Sequence, residues 1–320
     1  MRRFGVLAFL FASTVIACGA NATDGDVQES EVRANGYHVE MTTVQPVVES
    51  GSNASLDIRV FDGANHLVTS FDDYHTQKMH LVAVSSDLKQ FVHVHPTLSA
   101  QGDLTVDVPV NAAQPYNVFF EYDPSGPTGV QTNRASLTPK NAVSVAPNLA
   151  ADPYIFTGGA TRFTVVSNTR VELVKLAHPM IMTGMATTFR VAVKTTDGAA
   201  VTDMVDWLGM PAHAIVLSED ASTFIHAHGM HPGAGGHPGH HPHDMGGMDM
   251  GGMDMSGSTD HTGHTGMGGM DMGGTVPAGS ANLLDIDVTF PKAGLYKLFV
   301  QFQRGSEVIT APFVLRATQM

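Results

Sequence analysis

The chain has 320 residues, 17 Lys and Arg against 30 Asp and Glu for a net charge of −13, one cysteine, 17 histidines and 18 methionines. The acidic balance excludes a nucleic-acid binder, which needs clustered basic side chains. The single cysteine excludes an internal disulfide framework and any metal site built on two or more thiolates. A hydrophobic content of 43% excludes wholesale disorder, and the length is enough for two ordinary domains.

In chain order, Arg2 and Arg3 precede an uncharged stretch from Phe4 to Ala17. It is too short to cross a bilayer as a helix, which takes about 20 residues. A basic start, a short apolar core and small residues at its end predict an export signal over residues 1–17. The stretch closes on Val15-Ile16-Ala17-Cys18, which resembles the lipobox of bacterial lipoproteins. That resemblance implies lipidation at Cys18, hence a membrane anchor. With Gly19 rather than an acidic residue next, it also implies the outer membrane, on its periplasmic face or at the cell surface. Residues 18–35, with Asp24, Asp26, Glu29 and Glu31, read as a flexible tether.

The rest is one domain written twice. Shifting the chain by 133 residues lays Leu56–Val60 on Phe189–Val193, Asp73-Tyr74 on Asp206-Trp207, His80 on His213, and Phe91-Val-His93-Val-His95 on Phe224-Ile-His226-Ala-His228. Further on the shift becomes 180, laying Leu104–Val108 on Leu284–Val288 and Tyr116–Phe120 on Tyr296–Val300. The spacing predicts domain one over 36–145, a linker over 146–159 and domain two over 160–318, with an insertion at 229–275. Strands are predicted at Val39–Val44, Leu56–Phe61, His80–Val84, Phe91–His95, Leu104–Val108 and Tyr116–Tyr122, from short Val, Ile, Phe and Thr runs bounded by turn residues. No ten-residue stretch keeps a helical period. The expected fold is all-β: two tandem immunoglobulin- or cupredoxin-like antiparallel sandwiches, the second with a long disordered Met/His-rich insertion. A small barrel is the competitor.

The insertion is a different material. From Gly229 to Gly274 it has no Lys, Arg, Leu, Ile, Val or aromatic residue, and Gly-Gly-Met-Asp-Met recurs three times. Nothing in it can fill a core. Accommodating it costs only about 1.7 kcal/mol of loop-closure entropy. It carries His231, His237, His240, His241, His243, His261 and His264, and Met230, Met245, Met248, Met250, Met253, Met255, Met267, Met270 and Met272. Thioether sulfur suits Cu(I) or Ag(I), and imidazole suits Cu(II) or Zn(II). Copper is the common biological metal that uses both donors as it changes redox state. Silver and zinc are the alternative ions, and a solvated low-complexity spacer is the alternative role. The composition resembles the Met/His-rich segments of periplasmic copper-resistance proteins.

Each domain also carries a His-x₁₂-His-x-His set: His80, His93 and His95 in the first, His213, His226 and His228 in the second. Residues i and i+2 of a strand share a face. A hairpin turning near Asp87 would therefore bring His80 opposite His93 or His95, with three imidazoles converging on an ion and one position left open. The alternative is that these histidines line a core edge and bond to the backbone. Asp73 and Asp206, just upstream, could orient an imidazole from behind or serve only as turn residues.

Trp207-Leu-Gly-Met-Pro-Ala-His213, Phe224-Ile-His-Ala-His228 and Phe290–Gln303 are similar to small exported bacterial domains of the YtkA-like type, which the resemblance places beside copper-handling envelope proteins. Domain one departs from the pattern at Tyr74-His-Thr-Gln-Lys-Met-His80, which has no Leu-Gly after its aromatic. The leading expectation is a non-catalytic, lipid-anchored copper-binding protein that sequesters, buffers or hands on copper. Its partners would be metal ions, the membrane and other copper-handling envelope proteins, with no nucleic acid. A structural or interaction sandwich of the envelope without a metal role is the alternative. A Cu/Zn superoxide dismutase-like enzyme is a minor third reading: its bridging Asp, further histidines and disulfide have no counterpart, and a blue-copper carrier would need a cysteine ligand.

Overall fold

The computed structural model describes residues 28–29, 36–158, 161–174, 180–233 and 279–320. Strands fall where short β-branched and aromatic runs alternate with turn residues. Ser52–Phe61 shows the reason: Ala54, Leu56, Ile58 and Val60 are buried while most of their neighbours face outward, the period-2 signature of a sheet with one face in a core. The protein is two tandem antiparallel sandwiches of immunoglobulin or cupredoxin type.

In domain one, one sheet orders His38–Thr43, Ser52–Phe61, Leu104–Val110 and Thr97–Leu98, with Gln28–Glu29 added at the edge. The other orders Gln131–Leu137, Tyr116–Pro124, Met79–Ser85 and Phe91–Val94. Leu56, Ile58, Leu81, Phe120 and Tyr122 belong to the core between them. Domain two repeats the plan with Ala186–Thr195 and Leu283–Thr289 on one side, and Ala212–Ser218, Phe224–Met230, Gly294–Arg304 and Glu307–Thr318 on the other.

The copies differ at one corner. In domain one Phe91–Val94 stops before Pro96, which has no N–H to give a ladder, and Thr97–Leu98 resumes in the other sheet. The matching position in domain two is Gly229, and Phe224–Met230 runs straight through it, so that Gly229 and Met230 pair with Ile286 and Asp285 of the opposite sheet. A Cβ at Gly229 would stand 2.9 Å from the Ala212 Cβ. A larger residue would press on Ala212 here, and the corner joins the second domain's strands into one ten-stranded sheet.

The domains pack face to face. Met79–Ser85 and Ala212–Ser218 are buried at every position: one face of each strand fills its own core, and the other meets the partner domain. Val82, Val84 and Phe119 of the first domain cluster with Ile215, Leu217 and Phe299 of the second. Phe91 stacks on Phe299 at 4.4 Å and Phe119 on Phe224 at 4.7 Å. In the repeat alignment Phe91 matches Phe224 and Phe119 matches Phe299, so the two stacks are one contact made twice about a pseudo-two-fold axis. The linker packs as well over its described residues 146–158: Leu149 is buried and its N–H donates to Glu219 Oε1 at 3.1 Å, while Phe156 enters the second core and bridges to Leu315.

Candidate metal centre

His80 shares a strand face with Val82 and Val84, and His213 with Ile215 and Leu217, so both point into the seam between domains. Ala212–Ser218 pairs with Phe224–Met230 so that His213 lies opposite His228, and His226 opposite Ile215. In domain one Leu81 pairs with Val94, which sets His80 opposite His95. The hairpin therefore closes as the spacing requires. In each triplet, three imidazole nitrogens lie within 4.8 Å of one another. The two triplets also abut. Ring centroids of His80 and His226 are 5.2 Å apart, and those of His93 and His213 5.9 Å, little more than the separations within a triplet.

Hydrogen bonding fixes which nitrogens are free to coordinate. His80 Nε2–H donates to the Tyr74 carbonyl at 2.9 Å, leaving the lone pair on Nδ1. His93 Nδ1–H donates to Gln301 Oε1 at 2.8 Å, leaving the lone pair on Nε2. The Gln301 amide is oriented by its own N–H₂, which donates to Thr310 Oγ1 at 2.9 Å. The two lone-pair nitrogens, His80 Nδ1 and His93 Nε2, face each other at 3.1 Å. Domain two repeats this: His213 Nε2–H donates to Trp207 O at 3.1 Å, His226 Nδ1–H donates to Glu121 Oε2 at 2.5 Å, and His213 Nδ1 faces His226 Nε2 at 3.1 Å. The third nitrogen of each set, Nε2 of His95 and of His228, is buried and has no hydrogen-bond partner.

Two acceptors face to face repel unless a proton or a cation lies between them. Burial disfavours the proton. It holds His80 and His93 below the usual imidazole range, takes His95 down to about 4 and His213 down to about 2, and keeps His226 and His228 neutral, with neighbouring imidazoles adding to the effect in all but His80. Neutral imidazole is the form that binds metal. A tetrahedral ion at 2.0–2.1 Å from each nitrogen sets ligand nitrogens about 3.3 Å apart, close to the 3.1 Å of the facing pair in each triplet, while the third nitrogen lies within 4.8 Å of the other two. An orphaned buried acceptor costs about 1–3 kcal/mol, and ligation would relieve it. The residues fit a copper or zinc ion held by three imidazoles with one position open.

Other groups stand around the triplets. His75 packs against His228 with centroids 3.8 Å apart and planes tilted by 40°, and burial lowers it to about 4. It sits with Thr76 in a two-residue turn closed by Tyr74 and Gln77, both central residues being left-handed at φ 49° and 65°. Leu208 and Gly209 form the matching turn between Trp207 and Met210. A Cβ on Gly209 would lie 3.0 Å from Thr76 Cγ2, so the turns meet across the axis. Trp207 packs edge-on to His93 at 5.6 Å.

The structure adds to what the sequence indicates. Each triplet is completed from the other domain, by Glu121 and Gln301, which the motif reading missed along with His75. Asp73 pairs with Lys78 at 2.9 Å instead of orienting an imidazole; the turn carbonyls of Tyr74 and Trp207 do that work. His231, expected as a ligand of the tract, donates its Nδ1–H to the Leu283 carbonyl at 3.0 Å. Cys18, and the tract ligands from His237 to Met272, lie outside the described residues.

The chain belongs to a family described as a domain of unknown function, DUF8832, whose model matches residues 30–136, 164–252 and 258–319. No curated protein matches it. Solved structures with a similar course include the Escherichia coli adhesin FdeC, at 8% identity and a TM-score of 0.23, covering 88% of this chain and 64% of that one. Invasin, a bacterial integrin-binding protein, matches at 11% identity and a TM-score of 0.20, covering 86% of this chain and 39% of its own. Domains 4 and 5 of the S-layer protein SbsC match at 10% identity and a TM-score of 0.19, covering 88% and 97%. This chain thus spans less than two thirds of the length of the first two.

Proposed function

We propose that this is an exported, lipid-anchored copper-binding protein that sequesters, buffers or hands on copper at the bacterial envelope, as its similarity to YtkA-like domains implies. It does so without catalysis, and Cys18 anchors it. The single observation that carries the reading is the pair of facing lone-pair nitrogens in each triplet, each with a third, orphaned nitrogen beside it. The defined centres sit in the seam. The Met/His tract adds softer donors for Cu(I) and a larger capacity.

The test is metal analysis of protein purified from its own envelope, followed by titration with Cu(I) under reducing anaerobic conditions and with Cu(II). Copper is expected in the purified protein. Two equivalents are expected to be lost when His95 and His228 are both changed to Ala with the tract intact. The competing reading is a structural sandwich. The cross-domain bonds of His93 to Gln301 and His226 to Glu121 favour it, since they give the histidines a task without any ion. Copper-free protein whose triplets take up neither ion would overturn the copper proposal in favour of that one.

A further inference from the structure

The two triplets are equivalent in their ligands and unequal in what stands behind them. Glu121 and Gln301 occupy matching positions, each on the strand beside the first histidine of its own domain: Glu121 pairs with His80 and Gln301 with His213. Each reaches across the seam to the other domain's second histidine. The group behind His226 is therefore a carboxylate, 6% exposed, against a fully buried imidazole. The group behind His93 is a neutral amide. Both bonds fix the tautomer and aim Nε2 at the ion. Only the carboxylate adds negative charge, and in a water-poor seam that charge makes the imidazole a stronger donor and offsets the charge of the ion.

We propose that Glu121 and Gln301 are positioning residues that rank the two centres: the second-domain triplet, backed by domain one's carboxylate, fills first and holds its ion more tightly, while the first-domain triplet, backed by an amide, is the exchangeable site. This rests on the metal-binding reading above. One domain thereby sets the grip of the other, and the protein has a retaining site and a releasing site within one seam. Such an arrangement suits a protein that passes on one ion while keeping its fold pinned by a second.

The full-length chain tests this, with Zn²⁺ and, anaerobically, Cu(I) as diamagnetic probes. Imidazole ¹H–¹⁵N correlations of His93 and His226, assigned from single-histidine substitutions, report which triplet is occupied whatever the tract binds. In the wild type the His226 signal should move at lower added ion than the His93 signal. Glu121→Gln should weaken the second triplet by about 10–100-fold and leave the first within a few-fold. The double exchange Glu121→Gln with Gln301→Glu keeps one carboxylate in the seam and should reverse the order of filling, which a merely structural role for Glu121 would not do. If both triplets bind but the exchange leaves their order unchanged, the ranking is wrong and the metal-binding reading stands. If neither signal moves in the wild type with either ion, the metal-binding reading itself fails. The thermal midpoint of each metal-free variant, checked first, keeps misfolding from passing as lost affinity.

Discussion

At the scale of single residues, seven of the described histidines share one seam without sharing one role. Six converge as two triplets. His75 packs, tilted, against His228 from a left-handed turn position that an L residue rarely adopts, and backbone strain of this kind persists where the surroundings over-determine it. The triplet spacing was legible because His-x-His on a strand puts two rings on one face and the hairpin supplies the third. Glu121 and Gln301 were not legible, because each acts on a histidine more than a hundred positions away in the other domain, and neither belongs to a spaced motif. The same burial dictates how the metal-free protein responds to acid. Histidines held neutral in the fold but free to protonate when unfolded contribute stability that is present above the unfolded value near 6.5. It is lost as pH falls below that value toward the folded values of about 4 for His75 and His95, and about 2 for His213. Among the described residues, the Glu121 carboxylate bonds the His226 imidazole. The thermal midpoint of metal-free protein should therefore fall steadily from pH 6.5 to 4, and a variant with all seven histidines changed to Gln should flatten that slope. An equally steep slope in that variant would move the acid sensitivity to the carboxylates.

At the scale of elements, the six strands expected in domain one were readable and their surroundings only in part, while Gln131–Leu137, rich in polar residues, was missed. The expected strand Leu56–Phe61 lies within the observed one-sided strand Ser52–Phe61. Met79–Ser85 and Ala212–Ser218, apolar or small nearly without a break after their histidines, carried the mark of strands buried on both faces. What covers the second face could be learned only from the packing of one repeat on the other. The corner at Pro96 and Gly229 shows how one residue decides connectivity between otherwise matching copies. At Gly229 a methyl group would press on Ala212 Cβ at 2.9 Å and on Ile286 and Leu284 at 3.4 Å. Gly229→Ala should cost about 1–3 kcal/mol by overpacking, read from chemical denaturation. It should also disturb His228, the adjacent residue, and so weaken the second triplet more than the first. A neutral substitution would mean that the corner yields, and that the continuous ten-stranded sheet contributes little rigidity to the centre.

At the scale of the whole molecule, the duplicated domain forms an isologous interface of the kind usually made by two subunits, fused here into one chain. The repeat was plain from the sequence. Its consequence, two matching faces meeting about an axis, was not, because a linear alignment carries no record of which surfaces touch. Fusion frees the two halves to diverge, and they have done so at Glu121 against Gln301, His75 against Leu208, and Pro96 against Gly229. The apolar part of the interface lies two residues from the polar part along the same strands. Phe299 precedes Gln301 on one face of Gly294–Arg304, and Phe119 precedes Glu121 on one face of Tyr116–Pro124. Removing Phe299, which is 2% exposed and stacked on Phe91, should cost about 3–5 kcal/mol and release Gln301, so that Phe299→Ala weakens the first triplet more than the second. Phe119→Ala should do the reverse through Glu121. The crossed pattern is the informative result, because general destabilisation would lower both affinities together. Denaturant unfolding paired with Zn²⁺ titration followed on the His93 and His226 rings would separate the two. If both variants lose stability and bind at both triplets as the wild type does, the seam holds the domains together without aiming the ligands.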